Sequence, residues 1–384
     1  MNTWYPIKIT AHIRTYAFGE RLIPELLGKR GVPAGRVAET WEISDYRDTT
    51  GTVIGGALAG RTLHQLIEEY PDEVVGAGWR GPHFPLLEKF LDASHMLPVH
   101  LHADDETARR KYQEPNGKTE AWHILWAAPG ATILAGVRPD LSRDQLFAAF
   151  KAQAYDKVLF RYPIQPGDTV YVPGGVLHSF GPDTLIFEVQ QTSDLAQNVM
   201  PVDLFGNPLS EEQWDANINA VLDELRTDYQ PRPNPGLALP SEGENRYMVG
   251  CAGPHFALER WTLRAPHLER LDGRRCRTLS NVGSPVRLDY MAGTDLLARG
   301  ESCILPAALG EVTITPVESG EIIEIPHTLE AEAERPDAHR EAEANPVGSL
   351  IVCYVPDLHA DIVTRLREAG HSIEAIRALG EVLP

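Results

Sequence analysis

The sequence predicts a mainly β protein built as two successive strand-rich units, the first carrying helices and the last residues forming a helical tail. Three observations predict it. Short apolar runs punctuated by Pro and Gly recur before residue 230, as in "LPVHLH", "ATILAGV", "KVLFRYPIQPGDTVYVPGG" and "TLIFEVQQ". They return after residue 243 as "HFALERWTL", "SPVRLDYM", "SCILPA", "EVTITPV", "EIIEIP" and "SLIVCYV". Such runs read as strands of a sandwich or barrel. Between the two sets, residues 231–242 hold a proline-rich stretch, "PRPNPGLALP", that cannot continue a helix or a central strand. Finally, helix-start signals fall only at certain places. The expected division is therefore 1–230, a linker at 231–242, a second unit at 243–356 and a tail at 357–384.

The helices of the first unit announce themselves by S/T-x-x-Q, in which the hydroxyl caps a backbone N–H and the glutamine reaches back. The pattern begins at Thr62, Ser142 and Ser210. Apolar residues follow each at helical spacing: Leu63, Leu66, Ile67 and Tyr70; Leu146, Phe147 and Phe150; Trp214, Ile218, Val221, Leu222 and Leu225. Helical segments are expected at about 142–152 and 210–226. The stretch 329–345, "LEAEAERPDAHREAEAN", is charged and poor in apolar residues and reads as a solvated loop or short exposed helix. In the tail, Leu358, Ile362 and Leu366, then Ile373, Ile376 and Leu379, predict two short helices docked on the body.

A length of 384 residues with 43% hydrophobic content can fill cores of this size. The net charge of −19 opposes attraction to nucleic acid or anionic membrane surfaces, so any site for an anionic substrate has to be local. No targeting signal and no run of about 18 apolar residues is seen, and a cytoplasmic protein is expected. The four cysteines lack C-x-x-C spacing and read as reduced, packed thiols.

Two stretches carry chemistry. In "VHLHADD", residues 99–105, a strand would put His100 and His102 on one face, the geometry two ligands of one metal need. In "GDTVYVPGGVLH", residues 167–178, the spacing G-x5-P-x-G-x2-H matches the second motif of the cupin jelly roll, and H-x-H opens the first. His100, His102 and His178 with a carboxylate suit Zn2+, and equally Fe2+, Mn2+ or Co2+. The carboxylate is ambiguous at this point. Glu106 stands where the general pattern H-x-H-x3-E puts it, and Glu120 in "NGKTEAWHIL" competes.

Together "FPLLEKFLDA", "VHLHADD", "NGKTEAWHIL", "PGDTVYVPGGVLHSFG" and "FEVQQTSD" occur in an order that resembles the type I phosphomannose isomerases, with "WEISDY" and "GESCILPAALGEVTI" similar as well. The resemblance implies two cupin-like jelly rolls, only the first bearing metal. It implies ligands at His100, in a position that the family usually fills with Gln, and at His102, Glu120 and His178, thus preferring Glu120 to Glu106. Ala103 departs from the family's usual proline.

The implied reaction is metal-dependent aldose–ketose isomerisation, moving a proton between C1 and C2 through a cis-enediol, with mannose 6-phosphate and fructose 6-phosphate as expected substrates. Glu188, between aliphatic positions in "TLIFEVQQ", is the expected base, since burial raises a carboxyl's pKa. Lys118 is a candidate for substrate contact, with a surface lysine as the alternative. Asp104 and Asp105 read as turn and capping residues. The family carries an arginine four residues after the Asp of "QQTSD", and here Asn198 stands in that catalytic position, without a charge or a bidentate fork. That departure leaves room for an isomerase of another sugar, unphosphorylated or differently charged, or for a catalytically silent metal-containing sugar-binding protein. An iron-dependent oxygenase would also fit the ligands. No oligomeric state is legible.

Overall fold

The computed structural model describes residues 4–241, 243–318 and 346–382. The charged stretch 329–345 and the expected strand "EIIEIP" lie outside the described residues. In the first unit the strands are β1 (His12–Arg14), β2 (Glu39–Ile43), β3 (Leu86–Ala93), β4 (His100–Leu101), β5 (Glu120–Ala127) and β6 (Thr132–Val137). They continue with β7 (Leu159–Pro163), β8 (Thr169–Val172), β9 (His178–Phe180), β10 (Thr184–Gln191) and β11 (Gln197–Asn198). Among the described residues these form two antiparallel sheets, of order β1-β2-β3-β10-β5-β8 and β11-β4-β9-β6-β7. Leu91, Trp122 and Ile186 of the first sheet share a core with Ile133, Ala135 and Phe180 of the second, so the two close face to face as a jelly roll.

The second unit repeats the plan. Its strands are β12 (Leu237–Leu239), β13 (Arg246–Ala252), β14 (Ala257–Leu263), β15 (His267–Arg270) and β16 (Arg277–Asn281). After these come β17 (Val286–Tyr290), β18 (Gly293–Leu297), β19 (Ser302–Leu305), β20 (Glu311–Pro316) and β21 (Gly348–Tyr354). The sheets run β12-β13-β14-β21-β16-β19 and β15-β20-β17-β18. Part of the proline-rich stretch is strand, because β12 needs only one partner, β13, and an edge tolerates flanking prolines.

All three S/T-x-x-Q signals form reciprocal capping boxes, at the starts of helices Leu63–Glu69, Arg143–Lys151 and Glu211–Glu224. The last two lay Leu146, Phe150, Trp214, Ile218 and Val221 over Leu101 and Leu134 of the second sheet and over Val99 just before it. Each such fully buried side chain contributes about 1.5–3 kcal/mol. The four cysteines are buried and unbridged. No helix among the described residues is long and apolar enough to cross a membrane. The tail helices bury Ile362, Leu366, Ile376 and Leu379 against β13, β14 and β21.

β3 and β10 are buried at every one of their eight positions each, so neither shows the polar–apolar alternation of a sheet with a wet face. On β10, Leu185, Phe187 and Val189 point to the second unit, into a core shared with Leu258, Trp261 and Leu350. Ile186 points inward and shares its core with Trp122, and the even-numbered Glu188 lies on the same face. The ends of the described chain cross the same boundary. Ile7 exchanges two backbone hydrogen bonds of 2.8 Å with Ile304 on β19, and Glu381 pairs with Arg226 of the first unit at 2.8 Å.

The charged pair in the middle of β3 follows from this double burial. Glu88 faces the second unit and accepts a hydrogen bond from Thr278 on β16. Burial pushes its carboxyl up to about 8. An unfolded chain ionises that group near its ordinary value, whereas the folded chain holds the proton until about pH 8, so stability falls as pH rises between the two. Glu88→Gln keeps the shape and cannot ionise. In urea unfolding it should gain on the parent between pH 5 and pH 9 by up to about 4 kcal/mol. An equal difference at the two pH values would count against the buried proton.

Candidate metal centre

β4 and β9 bring the two histidine motifs together, His100 pairing with His178 across the ladder. The "PGG" turn that precedes β9 sits against the "HADD" segment. Gly175 donates its N–H to the His102 carbonyl at 2.6 Å, and a Cβ on Gly174 would lie 2.7 Å from Asp104 Cα, so the close approach requires glycine. Asp104 caps the helical turn that follows, accepting from Thr107 N at 2.8 Å, and Asp105 accepts from Gly117 N and Gln191 Nε2. Asp104 thus does the capping work expected of it, whereas Asp105 ties the segment to Gly117 and to the end of β10.

Each ring is held by its Nδ1. His100 Nδ1 lies 2.6 Å from the Pro98 carbonyl, His102 Nδ1 2.6 Å from that of Leu195, and His178 Nδ1 2.8 Å from that of Val176. A carbonyl only accepts, so each Nδ1 carries the hydrogen and each neutral ring presents a bare Nε2 lone pair. Those lone pairs converge: His178 Nε2 lies 3.1 Å from His100 Nε2, and one ligand atom of each of the three rings lies within 4.8 Å of the others. Burial, helped by the neighbouring rings, holds His100 well below its ordinary range, and burial followed by the Lys118 charge takes His102 down to about 4. Those two rings stay unprotonated near neutral pH.

Glu120 at the start of β5 completes the group. Its Oε1 accepts from Trp122 Nε1 at 2.8 Å and lies 3.2 Å from His178 Nε2. Its Oε2 lies 3.1 Å from His102 Nε2, yet the two atoms are not aligned as a hydrogen bond and both are buried without a hydrogen-bond partner. Burial alone would raise this carboxyl, but Lys118 and His102 outweigh it and hold it well below the carboxylate range. Three lone pairs and a carboxylate meeting in a buried place repel one another unless a cation lies between them. The donor set, three nitrogens and one oxygen, fits a divalent ion of the zinc type. Glu106 is exposed and lines a different depression with Arg109 and Arg226, so the carboxylate brought to the histidines is Glu120.

Lys118 is not a surface lysine. It is buried, with Nζ 3.3 Å from Glu120 Oε2. Glu188 is buried on the same inner face, and its carboxyl is pushed up to about 7 by burial and then by the charge of Glu120, against the pull of Lys89. Asn198 is the member the structure does not bring to bear. Its backbone pairs with His100, but its Oδ1 accepts from Met200 N and its Nδ2 donates to the Val202 carbonyl, both at 2.7 Å. Both ends of the carboxamide are spent on that turn, a local bonding habit of Asn.

No family model matches this chain. The putative mannose-6-phosphate isomerase YvyI of Bacillus subtilis is 28% identical over 319 residues, covering 81% of this chain and 96% of that protein. The probable mannose-6-phosphate isomerase GmuF of the same organism is 34% identical over 172 residues, 45% of this chain and 54% of GmuF. That second match spans about half the length of the relative. Among solved structures, a mannose 6-phosphate isomerase from Bacillus subtilis superposes with a TM-score of 0.74 at 24% identity, covering 91% of this chain and 99% of that one. A putative mannosephosphate isomerase from Archaeoglobus fulgidus gives 0.65 at 20% identity, covering 92% and 99%. These likenesses establish the fold.

Lys89, which sequence reasoning passed over, lies beneath the site. Only 2% exposed, its Nζ lies 3.2 Å from Glu188, 3.8 Å from Glu39 and 4.0 Å from Asp194, and it rests 4.5 Å from the centre of the Trp41 ring. Arg14 stacks on that same indole at 4.7 Å. The available signal was a Glu-Lys pair in the middle of the largely apolar "FPLLEKFLDA". Burial opposes the Lys89 charge, but Glu39, Glu188 and Asp194 together hold it above its ordinary range. Lys89→Met strands two buried carboxylates and should lower stability by about 3–5 kcal/mol in urea unfolding. Adding Glu188→Gln should cost less than the sum of the single changes, and strict additivity would refute the pairing.

Proposed function

We propose that this chain, phosphomannose isomerase-like in sequence and fold, is a metal-dependent aldose–ketose isomerase that interconverts mannose 6-phosphate and fructose 6-phosphate through a cis-enediol. The observation that carries the reading is the convergence of three imidazole Nε2 atoms and Glu120 next to a buried carboxyl that titrates near neutrality. His100, His102, Glu120 and His178 hold the ion, Zn2+ being the first choice for this donor set. When bound, the ion supplies Lewis acidity that polarises the sugar's carbonyl and makes the neighbouring C–H acidic enough to leave.

The chain's own residues do the rest. Glu188 takes the proton from one carbon of the sugar and returns it to the next. Lys89, 3.2 Å away, stabilises the carboxylate in the ionised state it needs before the transfer. Burial of Glu120, Glu188 and Lys89 keeps bulk water from quenching the exchange. With Asn198 closed on its turn, the positive charge near the sugar comes from Lys118, Lys89 and Arg14, all gathered around the same group of carboxylates and Trp41.

The commitment of Asn198 also favours a second reading, the same reaction on an unphosphorylated or differently charged sugar. A silent sugar-binding protein would bind without moving a proton. Proton NMR in D2O of the zinc-loaded protein with mannose 6-phosphate, then fructose 6-phosphate, separates these. The expected result is conversion of one sugar phosphate into the other, lost on metal removal. Conversion of only another sugar would establish the second reading, and binding without conversion would sink both isomerase readings.

His102→Ala or His178→Ala should each lose stoichiometric zinc and turnover together, and retained metal in either would refute the ligand assignment. Glu188→Gln should keep the metal and lower kcat by roughly 10²–10⁴-fold. A base works ionised, so kcat/KM should rise with pH through about 7 in the parent, and this acid limb should be absent from the residual activity of Glu188→Gln.

A further inference from the structure

Asp45, His64 and His83 form a separate cluster of metal-ligating side chains. They come from three stretches: the turn after β2, the first turn of helix Leu63–Glu69, and the approach to β3. One carboxylate oxygen and one nitrogen of each ring lie within 4.8 Å of one another. His64 Nδ1 and His83 Nδ1 lie 3.3 Å and 3.8 Å from the same oxygen, Asp45 Oδ2. Two ligand atoms on a tetrahedral ion with bonds of about 2.1 Å stand roughly 3.4 Å apart, and the two observed separations bracket that spacing.

The carboxylate is fixed in place. Asp45 is fully buried, its Oδ2 accepting from Phe84 N at 2.8 Å and its Oδ1 from Thr50 Oγ1 at 3.3 Å. His64 Nδ1 already meets it, and the exposed Glu68 carboxylate lies 3.7 Å from the other ring nitrogen, outside hydrogen-bond distance. His83 is different. Its Nδ1 is buried and has no hydrogen-bond partner, although it lies beside a carboxylate. A purely structural cluster would leave that nitrogen's desolvation uncompensated, whereas an ion between the three groups satisfies it. His64 is 39% and His83 24% exposed at the side chain, so the cluster is reachable from solvent and retains an open side for water.

We propose that Asp45, His64 and His83 bind a second divalent ion of the zinc type, independent of the histidine centre. With three protein ligands and an open position, it binds at least tenfold more weakly than the four-ligand centre. The ion ties the turn after β2 and the helix Leu63–Glu69 to the entry of β3, where the Phe84 carbonyl accepts from Thr192, just beyond β10.

The test is isothermal titration of the metal-free full chain with Zn2+ alone, with bound zinc counted by mass spectrometry. Two equivalents are expected in the parent. His64→Ala, His83→Ala and His178→Ala should each leave one, and His83→Ala with His178→Ala should leave none. His83→Gln, which keeps a polar side chain, replaces the alanine variant if that fails to fold. A single equivalent lost with His178→Ala and untouched by His83→Ala overturns the second site and leaves the first standing. A single equivalent lost with His83→Ala and untouched by His178→Ala supports the second site and overturns the first. Two equivalents that survive both His64→Ala and His83→Ala overturn the second site.

Discussion

Three backbone carbonyls, those of Pro98, Val176 and Leu195, decide what the first jelly roll can hold. By accepting the Nδ1 hydrogens of His100, His178 and His102 they fix each ring's tautomer and its orientation. A ring freed from its carbonyl could present an N–H to the others, and the group would relax into an ordinary hydrogen-bonded cluster. Two of these carbonyls lie two residues before the histidine they serve, so the entries to β4 and β9 each carry an imidazole and its support in one short stretch. The third comes from the segment after β10, which also carries Asp194, beside Lys89, and the closed turn of Asn198.

The second jelly roll holds no H-x-H motif, yet the site depends on it. By covering the outer face of β3 and β10 it dries both strands completely. Adjacent residues on β3 then meet opposite surroundings: Glu88 turns to Thr278 and the second unit, Lys89 to Glu188 inside the first. Desolvation on both faces sets the behaviour of each, keeping the proton on Glu88 near neutrality and bringing Glu188 into the range useful for proton transfer. A lone first unit would expose Leu185, Phe187 and Val189 and rehydrate the strand that carries Glu188.

Much of this was legible in the chain. The capping boxes at Thr62, Ser142 and Ser210 are local, decided by residues three apart, and the histidine motifs announce their face by strand periodicity. Distance in sequence limited the rest. General spacing alone left Glu106 and Glu120 open, with Glu106 in the nearer position, and only the resemblance preferred Glu120, the carboxylate that the folded chain brings to the histidines. Lys118 looked like a surface lysine because a single sequence does not show that Glu120 would draw it inward. Lys89 was hidden by the expectation that a charge in a strand faces water, which fails when both faces are covered. Asn198 stands where a cation was expected, but a local turn competes successfully for its carboxamide. Asp45, His64 and His83 are scattered over separate turns and a helix, a grouping no spacing rule encodes.

The exchange of ends between the units has a consequence for how the molecule comes apart. Ile7, early in the chain, is stitched to β19, while Glu381, near its end, returns to Arg226 and Tyr171. Neither unit therefore closes on its own segment of chain. To separate them, the first and last segments must peel away together with the shared core between β10 and β14, and the loss of one clasp exposes the apolar surface that the other protects. Such reciprocal bracing couples the opening of one jelly roll to the opening of the other.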